Sequence, residues 1–307
     1  MSANVLAASV APAPPRRATS QVGLLAFGRR LWSVRLAGVG LTIVALLALC
    51  AILAPVISPY DPTRQRLLDA LQAPSAAHLL GTDENGRDVL SRVLYGARIS
   101  LMAGVFSVSI ALTLGVLSGL ASGYFGGRVD HVIMRVMDAL LAFPTLVLAL
   151  AITAALGPGL RNAMIAIGIV YTPIFARLTR GQVLAVRERE FVEAARTVGA
   201  GHGRIMFRHI LPNVLAPIVV QVSLSIAVAI LSEATLSFLG LGVQPPEPSW
   251  GSMVSRGKDF LDRAPWLAFA PGGAILLAVM GFNFVGDAIR DALDPRLTRD
   301  AARNGGY

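Results

Sequence analysis

The groups that could bind a metal or move protons are 18 acidic residues and four histidines, His78, His131, His202 and His209. The histidines show no HExxH or other spacing that would bring two ring nitrogens to one metal. No GxxxxGK[ST] loop offers backbone N–H groups to a phosphate, and no GxSxG turn presents a nucleophilic serine. The single cysteine, Cys50, allows neither an internal disulfide nor a cysteine cluster. Leu49 before it is too large for a lipoprotein cleavage site, so Cys50 reads as packing. Only Asp138 and Glu233 fall in or beside apolar stretches, whereas an ion-coupled carrier usually buries more ionisable groups. The chain therefore reads as neither catalytic nor self-powered, with no metal site and no cofactor of its own. If it transports, the energy comes from a partner.

The elements that hold these residues are apolar. Of 307 residues, 54% are hydrophobic and 15% charged, and the mean hydropathy is +0.64; a soluble domain is roughly 25% charged. A net charge of +9 suits nucleic acid or a membrane surface. The hydropathy decides for the lipid bilayer and against nucleic acid.

Windows free of Asp, Glu, Lys and Arg run over Leu36–Ser58, Ile99–Gly127, Ala139–Leu160, Asn162–Ala176, His209–Ser232 and Ala264–Gly286. A span needs about 20 residues at 1.5 Å rise. The fourth window qualifies if its helix runs on past Arg177, whose long side chain can snorkel. The expected fold is all-α and membrane-integral, with six transmembrane helices. The first covers 36–58, and a core over 98–290 holds spans near 98–123, 132–156, 162–180, 210–236 and 265–287. Residues 59–97 form an outer loop, 181–209 a cytoplasmic loop and 291–307 a cytoplasmic tail. Residues 1–21, rich in Ala, Pro and Ser, read as a disordered cytoplasmic tail and not a signal peptide. Over 22–35, Leu24, Phe27, Leu31 and Val34 have the spacing of a helix lying on the inner membrane surface.

The basic residues set the orientation. With the N-terminus inside, 18 of the 27 lie in cytoplasmic segments, seven of them between Arg177 and Arg208. The nine outside are nearly cancelled by eight acids. Both termini are thus expected in the cytoplasm.

Those seven basic residues bracket the most informative stretch, which runs from Arg187-Glu188-Arg189-Glu190-Phe191 through Glu193-Ala194-Ala195 to Gly199, Gly201 and Gly203. Residues 188–198 favour helix and the glycines break it. A second short helix is expected over about Arg204–His209, and Pro212 then sits in the first turn of span five, where its missing N–H costs little. Two short helices at a sharp turn under the membrane suit rigid coupling to a soluble partner. Ala194 and Ala195 would let that partner approach the backbone.

Glu193-Ala194-Ala195, then Gly199, Leu211 and Pro212, resembles the signature of the permease subunits of ABC importers, with His209 where that pattern has isoleucine. The peptide-importer branch often has this histidine. Gly81–Arg92, Phe238–Pro246 with Pro248–Gly251, and Gly286-Asp287, Arg290-Asp291 and Leu293-Asp294-Pro295 are similar to the dipeptide/oligopeptide and nickel branch, closest to the second permease of a dipeptide system. The resemblance covers roughly residues 35–297. It implies a type I ABC importer permease fold in the bacterial cytoplasmic (inner) membrane, carrying dipeptides or short oligopeptides. Nickel, glutathione and other peptide-like substrates share the signatures, and a self-sufficient secondary transporter is the rival of a different class. The resemblance further implies a second homologous permease as heterodimer partner, two ATPase subunits that hold ATP and Mg, and an extracellular or periplasmic binding protein. Coupling to the ATPase then falls to Glu193, Ala194, Ala195, Gly199, Gly201, Arg204, Phe207, Leu211 and Pro212.

Other positions carry two readings each. Thr82 or Asp83 can cap a helix on which Asp83, Arg87, Asp88 and Arg92 form ion pairs. With Trp250, the residues Asp83, Arg87 and Asp88 are either contacts for the binding protein or partner permease, or structural; Trp250 could also anchor at the interface. Glu233 and Gln221 are candidates for the translocation path, Glu233 alternatively being a carboxylate near the outer interface satisfied by Ser or backbone groups, or by an arginine. Asp138 is expected to pair with Arg135 one turn away. Gly115, Gly119, Gly123 and Gly127 repeat every four residues, a spacing for close helix packing.

Overall fold

The computed structural model describes residues 35–293. The tail over 1–21, the surface helix over 22–35 (Arg35 apart) and the tail from residue 294 on lie outside the described residues. Among the described residues there is no strand, only an isolated bridge between Thr82 and Asp88. The helices are α1 (Arg35–Ile57), α2 (Val89–Phe125), α3 (Gly127–Leu141), α4 (Thr145–Leu156), α5 (Leu160–Arg187), α6 (Glu190–Thr197), α7 (Leu211–Phe238), α8 (Trp250–Gly257) and α9 (Trp266–Leu293). Five are long and apolar enough to cross a membrane, and six if α3 and α4 count as one bent span.

The core is the crossing of α2 on α5, where three of the four spaced glycines sit. A Cβ on Gly115 would lie 2.5 Å from the Cβ of Phe175, on Gly119 2.4 Å from the carbonyl oxygen of Ala176, and on Gly123 2.8 Å from the Cβ of Val183. Hydrogen at these positions lets the two backbones touch, which is how helices gain packing energy in lipid, where no hydrophobic force draws them together. Gly127 departs from the pattern. It begins α3 after Gly126, both with positive φ, and nothing lies near it.

Two spans differ from expectation. The span expected over 132–156 is two helices, α3 and α4, at 93° to each other. Pro144 donates no N–H, and the residue before a proline is disfavoured in helix, so the chain turns at Ala142–Pro144. At 12 residues α4 is about 18 Å long, short of a hydrocarbon core of about 30 Å. A charge-free window cannot register such a turn.

The break expected before span five is also absent. The chain is helical without interruption from His202 to Phe238. Proline is accommodated differently: residues Ile205–Ile210 widen into a π-helical stretch, and the Leu211 N–H donates to the carbonyl of Met206, five residues back. The wider turn absorbs the missing N–H and the ring of Pro212 without ending the helix.

Candidate functional site

Two regions at opposite ends of the bundle carry the residues singled out by sequence. At the end assigned to the cytoplasm by charge, α6 turns back at Gly199. The Ala200 N–H donates to Ala195 O (3.0 Å) and the Gly199 N–H to Arg196 O (2.9 Å), with Gly199 at φ +79°. This is a Schellman termination, which needs a left-handed residue and so favours glycine. Val192 and Ala195 are buried against the core cluster. Ala195 therefore packs on its own chain, and the approach expected for it belongs to Ala194 alone, which is exposed with Glu193, Gly201, Arg204 and Pro212. Leu211 is half-buried. The same surface exposes three large apolar side chains, Phe191 (39%), Val198 (83%) and Phe207 (52%). Large apolar side chains left uncovered in water are the raw material of a protein contact.

The other end looks equally charged in sequence and is built differently. Asp83, Arg87, Asp88 and Arg92 are all 5% exposed or less. The Arg87 Nε donates to Asp83 Oδ2 (2.6 Å), and the amides of Asn85 and Arg87 donate to Asp83 Oδ1 (2.9 Å each). Arg92 lies 3.5 Å from Asp83 and donates to the carbonyl of Pro62 (2.7 Å). The Ser91 N–H and hydroxyl donate to Asp88, whose other oxygen meets His78 Nδ1 at 2.9 Å. Asp88, not Thr82 or Asp83, is thus the cap of α2; residues 82–88 form a tight turn with Gly86 at φ +69° and are not helical. Trp250 is fully buried, its Nε1–H donating to Val93 O (2.9 Å) beside Gly96. Asp83, Arg87, Asp88 and Trp250 thus find hydrogen-bond and ion-pair partners within this chain. On the rim, the Thr63 hydroxyl and amide donate to Asp61 (2.6 and 2.7 Å) and hold its carboxylate below the usual range.

Glu233 is fully buried between α7 and α2, accepting from Ser237 Oγ (2.6 Å) and Ser100 Oγ (3.3 Å). Its carboxylate thus meets two hydroxyls of its own chain. Gln221 is half-buried and donates to Ser225 (3.1 Å). Asp138 pairs with Arg177 of α5 (2.5 Å), not with Arg135, because α3 packs against α5. Arg180 holds Asp130 with two hydrogen bonds, 2.6 and 2.7 Å, on the same contact. Arg177 and Arg180 thus meet α3 across an open polar groove of about 560 Å³. Sequence reasoning passed over His78 and Arg180, whose partners are ten and fifty residues away with no periodic relation to them. Among the described residues no three His, Cys, Asp or Glu side chains cluster to hold a metal.

Among the described residues the chain is a strand-free bundle of five or six helices long and apolar enough to cross a membrane, which defines an integral membrane protein. Residues 93–299 match the family described as the binding-protein-dependent transport system inner membrane component, and residues 26–74 match the N-terminal TM domain of oligopeptide transport permease C. The chain belongs to this family, the permeases of ABC importers, and is a multi-pass protein of the bacterial inner membrane. It is 49% identical over 269 residues to a dipeptide transport system permease protein of Alkalihalophilus pseudofirmus, covering 88% of each chain. It is 50% identical over 268 residues to a di/tripeptide transport system permease protein of Pseudomonas aeruginosa, covering 85% of this chain and 88% of the other. A glutathione transport system permease protein of Pectobacterium atrosepticum is 46% identical over 259 residues, covering 84% and 86%.

Proposed function

We propose that this permease forms half of the path of an ATP-driven importer of dipeptides and short oligopeptides. A second, homologous permease supplies the other half, an extracytoplasmic binding protein delivers the peptide, and two ATPase subunits holding ATP and Mg bind beneath. The substrate class follows the relatives, named for dipeptides, di/tripeptides and glutathione, itself a tripeptide. The observation that carries the coupling role is the exposure of Phe191, Val198 and Phe207 around Glu193 and Ala194, on an element whose other face is fastened to the core by Val192, Ala195 and Ile205. A patch for a partner and a rigid seat beneath it are what transmission of a displacement requires. Gly199, Gly201, Arg204, Leu211 and Pro212 shape that elbow. ATP-driven approach of the two ATPases then moves it and switches the cavity between inward- and outward-open.

The test is co-purification of the ATPases with this chain and its partner permease. Glu193→Lys and Phe207→Ser should each weaken retention of the ATPases while the chain still reaches the membrane. Unchanged retention in both would sink the docking role. Reconstituted vesicles should import a radiolabelled dipeptide only with binding protein and ATP present.

A further inference from the structure

The elbow is fastened to more than the two helices that flank it in sequence. At the cytoplasmic end of α2, the Tyr124 hydroxyl lies 2.8 Å from His202 Nδ1. The guanidinium of Arg196 sits over the Tyr124 ring, 5.5 Å from its centroid. His202 also stacks edge-on against Tyr124 and Phe125, at 5.6 and 5.9 Å. Arg187, at the end of α5, donates to the carbonyl of Gly123 (2.8 Å), one of the last carbonyls of α2 and without an intrahelical partner. Cations gathered at a helix C-terminus are favoured by its dipole. Tyr124 itself is 6% exposed, so its ring is a fixed post in the core while its hydroxyl reaches out to the elbow.

The helix ending at this post is the one membrane-length helix among the described residues with no proline inside it. Pro55, Pro173, Pro217 and Pro271 lie inside α1, α5, α7 and α9, whereas α2 has none in 37 residues. Proline is the usual cause of kinks. At about 1.5 Å per residue α2 spans some 55 Å. Its other end is set in the buried charge network by the Asp88 cap, Arg92 and the Trp250 hydrogen bond to Val93. One unbroken rod therefore joins the elbow to the part of the chain on the opposite side of the membrane.

We propose that Tyr124, His202 and Arg196 form a latch fastening the coupling elbow to α2, so that α2, and not only α5 and α7, carries movement between the ATPase and the outer end of the permease. The three are positioning residues. The proposal rests on docking of the elbow to an ATPase, as put forward above.

The experiment uses the whole transporter in proteoliposomes, with loaded binding protein and a radiolabelled dipeptide. Failure of the unaltered chain to retain ATPases or import peptide overturns the proposed function, and the latch with it. Given a working native complex, Tyr124→Phe removes one oxygen and keeps the ring. It should retain the ATPases and their basal hydrolysis, yet import about two- to tenfold less peptide per ATP, the range one hydrogen bond spans. Stimulation of hydrolysis by the binding protein should fall in parallel. Because His202→Ala already removes the bond that Tyr124→Phe breaks, the two together should be no worse than His202→Ala alone. Native import per ATP in Tyr124→Phe overturns the latch. So do fully additive losses in the double variant, or loss of the ATPases from Tyr124→Phe, which marks a structural role.

Discussion

The outer network and the cytoplasmic elbow look alike as strings of charge and glycine, and the molecule uses them in opposite ways. Around Thr82–Arg92 the charges turn inward and find partners in the same chain. In the elbow Glu190, Glu193 and Arg204 are exposed beside uncovered Phe191, Val198 and Phe207. The glycines show the same contrast. A Cβ on Gly86 would lie 1.8 Å from the carbonyl oxygen of Arg66, and on Gly81 2.6 Å from Trp266 and from the carbonyl of Gln72. A Cβ on Gly199, Gly201 or Gly203 would meet no atom within 4 Å beyond its immediate chain neighbours. Glycine at the outer end makes room for the chain's own backbone. In the elbow it shapes a turn and leaves space that this chain does not fill. The outer region is a foundation and the elbow a surface.

The contrast breaks most readily at Asp83. Asp83→Ala leaves Arg87 and Arg92, each 2% exposed, without their shared carboxylate. Removing one partner of a buried pair costs about 3–5 kcal/mol. The purified chain should melt far below the native one, or fail to accumulate in the membrane. A native melting curve would show that the outer network is not a foundation. Next in size is Gly86→Ala, which combines a left-handed backbone with a clash against Arg66 and should cost on the order of 3 kcal/mol. Thermal unfolding of the detergent-solubilised chain measures both.

Much of this was legible from sequence, and the limits have physical reasons. Long charge-free windows announce a helical membrane fold, because lipid requires every backbone group to be bonded within its own segment. The Glu193–Pro212 elbow was legible through the resemblance, and its turn through Gly199, whose left-handed φ few other residues adopt cheaply. The direction in which a charge points was not. Asp83 and Glu193 both stand in polar segments four residues or fewer from an arginine, and only the fold determines that one is covered and the other bare. Proximity in sequence pairs Asp138 with Arg135, whereas the packing of α3 on α5 brings it to Arg177. Pro144 was visible, but an apolar window counts charges and not backbone donors, so α3 and α4 read as one span.

Within the elbow the expected effects are smaller and of two kinds. Gly199→Val has open space around it but must hold φ near +79°, a cost of about 1–2 kcal/mol that the Schellman turn passes to the position of α6. Gly199→Asn tolerates that conformation better and should recover most of the loss. Import should follow the same order, with peptide capture by the binding protein unchanged; equal import by glycine, asparagine and valine would mean the turn is dispensable.

Gly201 gives the smallest effect on stability and the sharpest test of the contrast. Its φ is −65°, open to any residue, and no atom of this chain lies within 4 Å of a Cβ there. Gly201→Ala should change stability by less than about 0.5 kcal/mol, as surface substitutions usually do. Gly201→Leu should be as harmless to the isolated chain, since the larger side chain meets only solvent. If the open space belongs to an ATPase, however, the leucine occupies it, and retention of the ATPases should fall from glycine to alanine to leucine while the melting temperature stays level. A fall in both together would mean the elbow is packed on its own chain as the outer network is. Retention unchanged through leucine would leave the face around Gly201 outside the contact and confine docking to Phe191, Glu193 and Phe207.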